Sequence, residues 1–438
     1  MHFSRDSAIM LILVAEGSML TQVNNLRLDR QQILALRQMC HLSKNMFNVG
    51  LYNVRQYFFQ ERKHLRYESN YYHSKENENY KLLPTDIAQQ TLKIVDRSFK
   101  SFFGLLKLNK SGGYQEKVRL PNYLPKDGHF LLVIPVRKRD WEKLPGKNWL
   151  FTVPMSRQFK KEYGVVQFTV PERLRSKTVK EIRILPKYKA RYFDVCYCYE
   201  YQPEVKVEKT SEILGIDLGL DNFATCVSTT QKSFIIDGKK IKADNQFYNK
   251  RNAKLQSIKD LQGIKILTNR QARLLRKRNH KIRDFTNKAA RYVVNWCRRN
   301  KINKIVIGYN PDLKQRVNMG KRNNQKFTQI PIYTFKDKLE SLCQRYGIEL
   351  VEQEESYTSK ASSLDKDELP VWNADNPKSY TFSGKRIKRG LYRTSKGWLI
   401  NADCNGALNI IRKHTSKPND FIGGFRGCLA QPLRVLCS

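Results

Sequence analysis

The sequence predicts a multidomain chain of mixed class, α+β in its first half and α/β in its second. Three observations predict it. The texture changes from helical to stranded after "KSGG" (110–113). A charged stretch, "QPEVKVEKTSE" (202–212), separates the stranded part from the second half of the chain. Beyond it, apolar runs alternate with amphipathic helices, and the first run, Ile213 to Gly219, carries one ionisable residue, Asp217, near its middle. With 438 residues the chain is too long for one ordinary core, and 40% hydrophobic residues give it enough to build several.

In chain order, residues 1–18 hold a short apolar core after one arginine and read as an N-terminal extension; a secretory signal is the less favoured reading. "MLTQVNNLRL" (19–28) reads as a first strand. Asp29 then caps a helix, with Gln32 at the capping-box position. Apolar residues at 33, 36, 40, 47, 51 and 54 give a helical stripe, which the tyrosine-rich "RYESNYYHSKENENY" interrupts. A second stripe, Ile87, Leu92, Val95, Phe99, Phe102, Phe103 and Leu106, makes 29–110 a helical segment. From 119 to 201 short strands alternate with Pro and Gly turns: "HFLLVIPV", "WLFTVP", "GVVQFTVP", "EIRILP" and "FDVCYCYEY". That spacing suggests a small β-barrel, completed by 19–28, with the helical segment inserted into it.

After the linker (203–212), strands are expected at 213–219, 223–229 and 232–237. A strongly basic helical region comes next; residues 251–300 carry fifteen Lys/Arg and two acids. A helix near 281–299 has the apolar stripe Ile282, Phe285, Ala289, Tyr292, Val293 and Trp296. Strand "KIVIGY" (304–309), a helix ending at Gly347, and strand "IELVEQE" (348–354) complete the pattern. A loop-rich basic insertion (356–400) precedes "NADCNGALNII", which opens a helix, and 416–438 reads as a tail.

Lys plus Arg number 81 against 40 acids, a formal net charge of +41. Such self-repulsion calls for a polyanion, and nucleic acid is the leading partner. No apolar stretch approaches the ~20 residues of a membrane-spanning helix, so no membrane partner is expected. Nine cysteines without a CxxC pair read as reduced thiols of a cytosolic protein, and seven scattered histidines have no metal-site spacing.

Taken alone, Asp217 reads as a core aspartate that caps a turn or pairs with an arginine. Two features change the reading. "GIDLG" runs directly into "DNFATCVS", so the strand carrying the acid turns into an antiparallel partner. Late in the chain, Asp403 falls in the first turn of a helix. An RNase H-like nuclease needs acids from a first strand and a late helix, converging on two divalent cations roughly 3.5–4 Å apart. Without metal, clustered carboxylates repel one another, so such a cluster is costly unless it binds cations.

At these residues the sequence resembles a known family. "GIDLGLDNFAT", "KIVIGYN", "GKRNNQKF", "EESYTSKASSLD", "FSGKRIKRGLY" and "INADCNGALNI" are similar to the TnpB (OrfB) proteins of insertion sequences, relatives of the type V CRISPR effectors. The resemblance covers roughly residues 19–415, by motif in the second half and by texture in the first. It implies a RuvC nuclease, guided by an RNA from the transposon end, that cuts double-stranded target DNA beside a short motif, in the prokaryotic cytosol at the nucleoid. It implies a wedge barrel (19–28 and 111–202), a helical recognition insertion (29–110), and a RuvC domain (213–355 and 401–415) with a nucleic-acid-binding insertion (356–400). Mg2+ or Mn2+, as two ions, is the expected cofactor.

Two departures matter. The family pattern places a glutamate after the second-motif strand, where this chain has Gly308. Glu355 and Glu354, ending the strand expected beside 304–309, and Asp312 are the candidates for the missing ligand. Strand alternation puts only one of the two glutamates on the site face, and Glu355 is favoured. If none serves, the site is crippled. The expected catalytic and metal-binding set is therefore Asp217, Glu355 and Asp403. The second departure is the zinc ribbon: residues 356–400 contain no cysteine and no histidine, so no zinc is expected there.

Candidate nucleic-acid contacts are Arg273, Arg276, Lys277, Arg278 and Lys281 with Arg283, then Lys321 and Arg322, and Lys385, Arg386, Lys388 and Arg389 of the insertion. The bland reading of each run is a solvated face. Tyr71 and Tyr72 could stack on bases or serve the core equally well. The second class of function is a catalytically inactive RNA-guided DNA-binding protein. The third is a DNA-binding accessory of transposition without guide RNA.

Overall fold

The computed structural model describes residues 19–201, 210–309, 329–372, 378–415 and 422–437. The extension 1–18, most of the 203–212 linker, Asp312, Lys321 and Arg322 lie outside them. The chain divides into two compact units, Met1–Tyr201 and Gln202–Ser438.

In the first unit, strand β1 (Met19–Asn25) leads into helix α1 (Arg30–Glu61). The expected capping box forms: Asp29 accepts from the Gln32 amide at 2.8 Å, and Gln32 Oε1 accepts from the Asp29 amide at 3.2 Å. The tyrosine-rich interruption folds as two short helices, Tyr67–Ser74 and Glu78–Leu82. There Tyr71 is half-buried against Tyr67 and Tyr80, while Tyr72 is exposed under the Lys75 ammonium. Helix α2 (Thr85–Lys110) packs stripe to stripe on α1 through Leu92 and Val95, both fully buried.

Strands β2 (Leu132–Pro135), β3 (Leu150–Thr152), β4 (Gln167–Thr169), β5 (Val179–Lys187) and β6 (Tyr192–Glu200) come next. They form a four-stranded antiparallel sheet, β1-β6-β5-β2, and a separate two-stranded ribbon, β3-β4. Among the described residues no ladder joins β1 to β2, so the expected barrel is an open sheet with a ribbon. Leu36, Met39 and Leu92 of the helices share one core with Leu132, Ile184 and Tyr197 of the sheet. The alternation expected on β6 is present: Val195, Tyr197 and Tyr199 share a buried face.

The second unit is built on a six-stranded sheet. Strands β7 (Ile213–Leu218), β8 (Asn222–Ser228) and β9 (Lys232–Asp237) form an antiparallel meander. Helices α3 (Lys239–Leu261) and α4 (Asn269–Arg299) make a hairpin, with α4 starting at a Thr268–Gln271 capping box, twelve residues ahead of the expected 281. Strand β10 (Lys304–Tyr309) pairs parallel with β7. Helix α5 (Ile332–Tyr346) ends at Gly347, φ +66°, and β11 (Glu349–Glu354) pairs parallel with β10. The insertion contributes β12 (Lys385–Lys388), β13 (Leu391–Arg393) and β14 (Leu399–Asn401), a three-stranded sheet that runs into helix α6 (Ala402–His414). The expected tail holds β15 (Leu433–Val435), parallel to β9, after a short helix, Arg426–Ala430. The sheet order is β11-β10-β7-β8-β9-β15.

Two cores sandwich this sheet. Leu214 and Ile216 point to α4 and α5, where they meet Phe285, Val293, Phe335 and Leu339. On the other side Val227 and Ile235 meet Ala407, Leu408 and Ile411 of α6. Strand alternation therefore sends Gly215 and Asp217 to the α6 side. Among the described residues no helix is long and apolar enough to cross a membrane.

Candidate active site and nucleic-acid interface

Glycines set how closely α6 approaches the sheet. A Cβ on Gly215 would lie 2.5 Å from the Ala407 carbonyl oxygen and 2.5 Å from Ile411 Cγ1. A Cβ on Gly406 would lie 2.9 Å from Asp217 Oδ2. The Asp217 carboxylate thus rests against the helix where a larger residue would displace it. Asp403 is three residues before Gly406, on the same helix face. Asn401 fixes that first turn by accepting from the Asp403 and Cys404 amides, both at 3.0 Å.

Glu355 reaches this face from the neighbouring strand. In the β10–β11 register Gly308 lies opposite Gln353, and Tyr309 opposite Glu354. Glu355 leaves the strand end and folds its carboxylate back over Gly308. A Cβ there would sit 2.7 Å from Glu355 Oε2 and 2.7 Å from Ile410 Cδ1. Glu354 is turned elsewhere, bonded to Lys413 and to the Ser356 amide. Of the two candidate glutamates, the structure brings Glu355 over Gly308 and keeps Glu354 away.

The charges record the same arrangement. Burial, then the charges of Asp403 and Glu355, push the Asp217 carboxyl well above its ordinary range, against the opposing pull of Arg386. Burial and the Glu354 charge raise the Glu355 carboxyl. For Glu354 burial is outweighed by the bonds from Lys413 and Ser356, which hold its carboxyl down.

Both oxygens of Asp403 have partners. Arg386 Nη2 donates to Oδ1 at 2.8 Å and Asn222 Nδ2 donates to Oδ2 at 2.7 Å. Beside them Arg389 and Lys242 pair with Asp221 at 2.6 and 2.7 Å. As the side chains stand, no three acidic, histidine or cysteine groups among the described residues cluster closely enough to hold a metal ion. The donor set itself, three carboxylates on one face with two of them raised by burial and like charge, has the hard-oxygen chemistry that suits Mg2+ or Mn2+. Sequence reading missed Asn222 and the Arg386–Asp403 pair. Asn222 had a local signal, its place at the start of β8 directly after "GLD".

The basic candidates divide. Arg273, Lys277 and Lys281 are exposed at four-residue spacing along one face of α4. Lys281 is paired with Asp244. Arg278 instead straps the α3–α4 hairpin: it donates to Asn245 Oδ1 at 2.8 Å and its guanidinium lies 5.9 Å from the Tyr248 ring. Arg276 is half-buried. Lys385, Arg386, Lys388 and Arg389 are all exposed on β12 and the turn after it.

Two aspartates organise the insertion. Asp365 accepts from Ser362 Oγ at 2.6 Å, Ser395 N at 2.8 Å and Ser395 Oγ at 2.6 Å. Asp367 accepts from Ser362 N at 2.7 Å, Ser383 N at 3.1 Å and the Ser383 hydroxyl. The side chain of Asn405 on α6 accepts from Ser363 N and Oγ and donates to the Ala361 carbonyl. These bonds tie the 362, 383 and 395 loops to one another and to the helix that carries Asp403.

Residues 196–314 match the family of probable transposases OrfB_IS605, and residues 333–410 match the Cas12f1-like TNB domain. The chain is similar to a TnpB-like protein, ORF457, of Acidianus two-tailed virus: 24% identical over 430 residues, 88% of this chain and 86% of the relative. It is also similar to the cryo-EM structure of the Cas12f1-sgRNA-target DNA complex, at TM-score 0.48 and 15% identity, over 87% of this chain and 82% of that one. A CRISPR-Cas12f ternary complex matches at TM-score 0.32 and 14% identity, over 87% and 81%.

Proposed function

From the premise that the chain is a TnpB-family relative of the type V effectors, we propose that it is a metal-dependent, RNA-guided DNA endonuclease whose second-motif glutamate is displaced to Glu355. One observation carries the reading: Glu355 lies over Gly308, on the face where Asp217 meets α6. The order of the sheet, an antiparallel meander extended by two parallel strands on the β7 side, supports an RNase H-like nuclease domain. On this reading 19–28 and 111–202 are the wedge, 29–110 the recognition segment, 213–355 and 401–415 the RuvC domain, and 356–400 its nucleic-acid-binding insertion.

Asp217, Glu355 and Asp403 would hold two Mg2+ or Mn2+ ions. When bound, these supply an activated water and stabilise the leaving oxygen of a DNA phosphodiester. Asn222 orients the Asp403 carboxylate through its amide. Arg386, exposed at the rim, offers its guanidinium to a phosphate. Arg273, Lys277 and Lys281 track the backbone without reading sequence. Base pairing with a guide RNA from a transposon end selects the target, while protein groups read a short flanking duplex.

The Arg386–Asp403 pair favours a second reading, in which the fold binds guide and target without cutting. One experiment separates the two. Protein purified with its RNA, the RNA sequenced, is offered matching double-stranded DNA with Mg2+. Cleavage lost in Asp217→Ala and in Asp403→Ala, with RNA binding kept, supports the nuclease. Wild-type cleavage in Asp217→Ala sinks the assignment, and a wild type that binds but never cuts supports the second reading. Absence of any co-purified RNA would point to a transposition accessory.

A further inference from the structure

Lys413 carries a charge in a place where charge is costly. Its side chain is only 6% exposed, on the last turn of α6. A buried ammonium needs all its protons engaged. Lys413 Nζ donates to the Glu354 carboxylate, to the Ser356 carbonyl at 2.9 Å and to the Pro370 carbonyl at 3.1 Å. Two of these three acceptors belong to the residues on either side of Glu355.

We propose that Lys413 is a positioning residue: by tying the chain on both sides of Glu355 to the end of α6, it aims the Glu355 carboxylate over Gly308 and toward Asp217. The inference rests on the nuclease reading above, which makes Glu355 a metal ligand. With Glu354 and Ser356 both held, the backbone at 355 has little freedom. Neighbouring side chains at a strand end point to opposite sides, so holding Glu354 on one side sends Glu355 to the other. Which of two adjacent glutamates faces Asp217 is thus decided by which one the lysine takes. The same helix then sets both outer acids, Asp403 from its first turn and Glu355 from its last.

The bland alternative is that Lys413 only fastens the 356–370 loop to α6. Its neighbour Asn409 does that, donating to the Thr358 and Ala361 carbonyls at 2.9 and 2.8 Å. The two roles differ in what they couple to. A fastener changes thermal stability whatever stands at 355. A positioning residue changes metal affinity, and only through Glu355.

The test measures Mn2+ binding to the full-length protein by electron paramagnetic resonance of the free ion, beside the thermal midpoint. Lys413→Met should weaken Mn2+ binding by ~10–100-fold, the usual cost of losing a group that orients a ligand. Lys413→Arg should recover part of the loss. Glu355→Gln should weaken binding too, and the double variant should be no weaker than Glu355→Gln alone. Lys413→Met that binds Mn2+ as the wild type does, or whose loss adds in full to that of Glu355→Gln, overturns the proposal. If Lys413→Met does not fold, Glu354→Ala carries the test, since that side chain is 43% exposed. It should weaken Mn2+ binding by about tenfold and have no further effect in the Glu355→Gln background; undiminished binding overturns the proposal. A wild type that binds no more Mn2+ than Asp217→Ala defeats the nuclease reading itself. A wild type that binds, with a Lys413→Met that binds equally, defeats only this inference.

Discussion

The carboxylate of Glu355 fills the space that a side chain on Gly308 would need, with Oε2 2.7 Å from where its Cβ would stand. Glycine at 308 and glutamate at 355 are therefore one arrangement, not two independent residues. Gly308→Ala should push Glu355 and the Ile410 side chain aside. Both contacts are ends of flexible side chains, so overpacking should cost only ~1–3 kcal/mol. Cleavage should fall much further than stability. Melting and single-turnover cleavage measured together check this; a folded Gly308→Ala that cuts at the wild-type rate contradicts it.

Glu355→Gln keeps the shape and removes the charge, so it should abolish cutting and leave guided binding intact. Glu354→Gln keeps an acceptor for Lys413 and should be much milder. Cleavage rates for the pair, with gel-shift affinities, provide the check. The reverse order of severity would leave the displaced-ligand idea standing but exchange the two residues.

The legible part of the sequence was local. Asp217 stood out because it broke an apolar run, and Asp403 because it fell in the first turn of an expected helix. Glu355 was legible only as one of three, because its place depends on the β10–β11 register. The Asn222–Asp403 bond spans 181 residues, so the place of Asn222 after "GLD" marks the residue but not its partner. Barrel closure is not legible in strand texture, because it depends on whether two edge strands pair, and the texture is the same in an open sheet. β15 was missed because three residues pairing with β9 give too short a signal. Arg278 was grouped with its exposed neighbours because spacing alone does not separate a solvated arginine from one that straps two helices.

Burial and the charges of Asp403 and Glu355 push the Asp217 carboxyl upward. The folded chain therefore holds this proton more tightly than the unfolded chain does. The group's contribution to stability falls as pH rises above the ordinary aspartate range. In chelator at neutral pH, Asp217→Asn should melt a few degrees higher than wild type. The gap should narrow on adding Mg2+ or lowering the pH. Calorimetry under the three conditions decides, and an Asn variant that melts lower in chelator contradicts the crowding of charge.

Nucleic-acid binding should be steeply salt-dependent. Arg273→Ala and Lys277→Ala each remove an exposed cation from one face of α4. Each should lower the slope of log K against log salt by about 0.7–0.9 and leave target choice unchanged. Arg278→Ala should instead lower the melting temperature, because it loosens the α3–α4 hairpin. Salt titrations of the three variants, with melts, check the division; equal slopes in all three would return Arg278 to the nucleic-acid face.

The insertion offers the last test, because its cohesion rests on carboxylates. Asp367 accepts from the Ser362 amide, the Ser383 amide and the Ser383 hydroxyl, and Asp365 binds Ser362 and Ser395. Two side chains thus hold three loops that would otherwise splay. Asp367→Ala strands the buried Ser362 amide, at ~1–3 kcal/mol for a buried donor left unpaired, while the exposed Ser383 amide turns to water. Asp365→Ala should cost less, since two of its three bonds come from hydroxyls that can turn to other acceptors. Hydrogen exchange at β12–β14 reads the loss locally. Exchange there should quicken in Asp367→Ala, while the β7–β8 amides stay protected. A zinc chelator, by contrast, should leave exchange in the insertion unchanged. Exchange that quickens with the chelator, and not with Asp367→Ala, would show that a metal rather than the aspartates holds these loops.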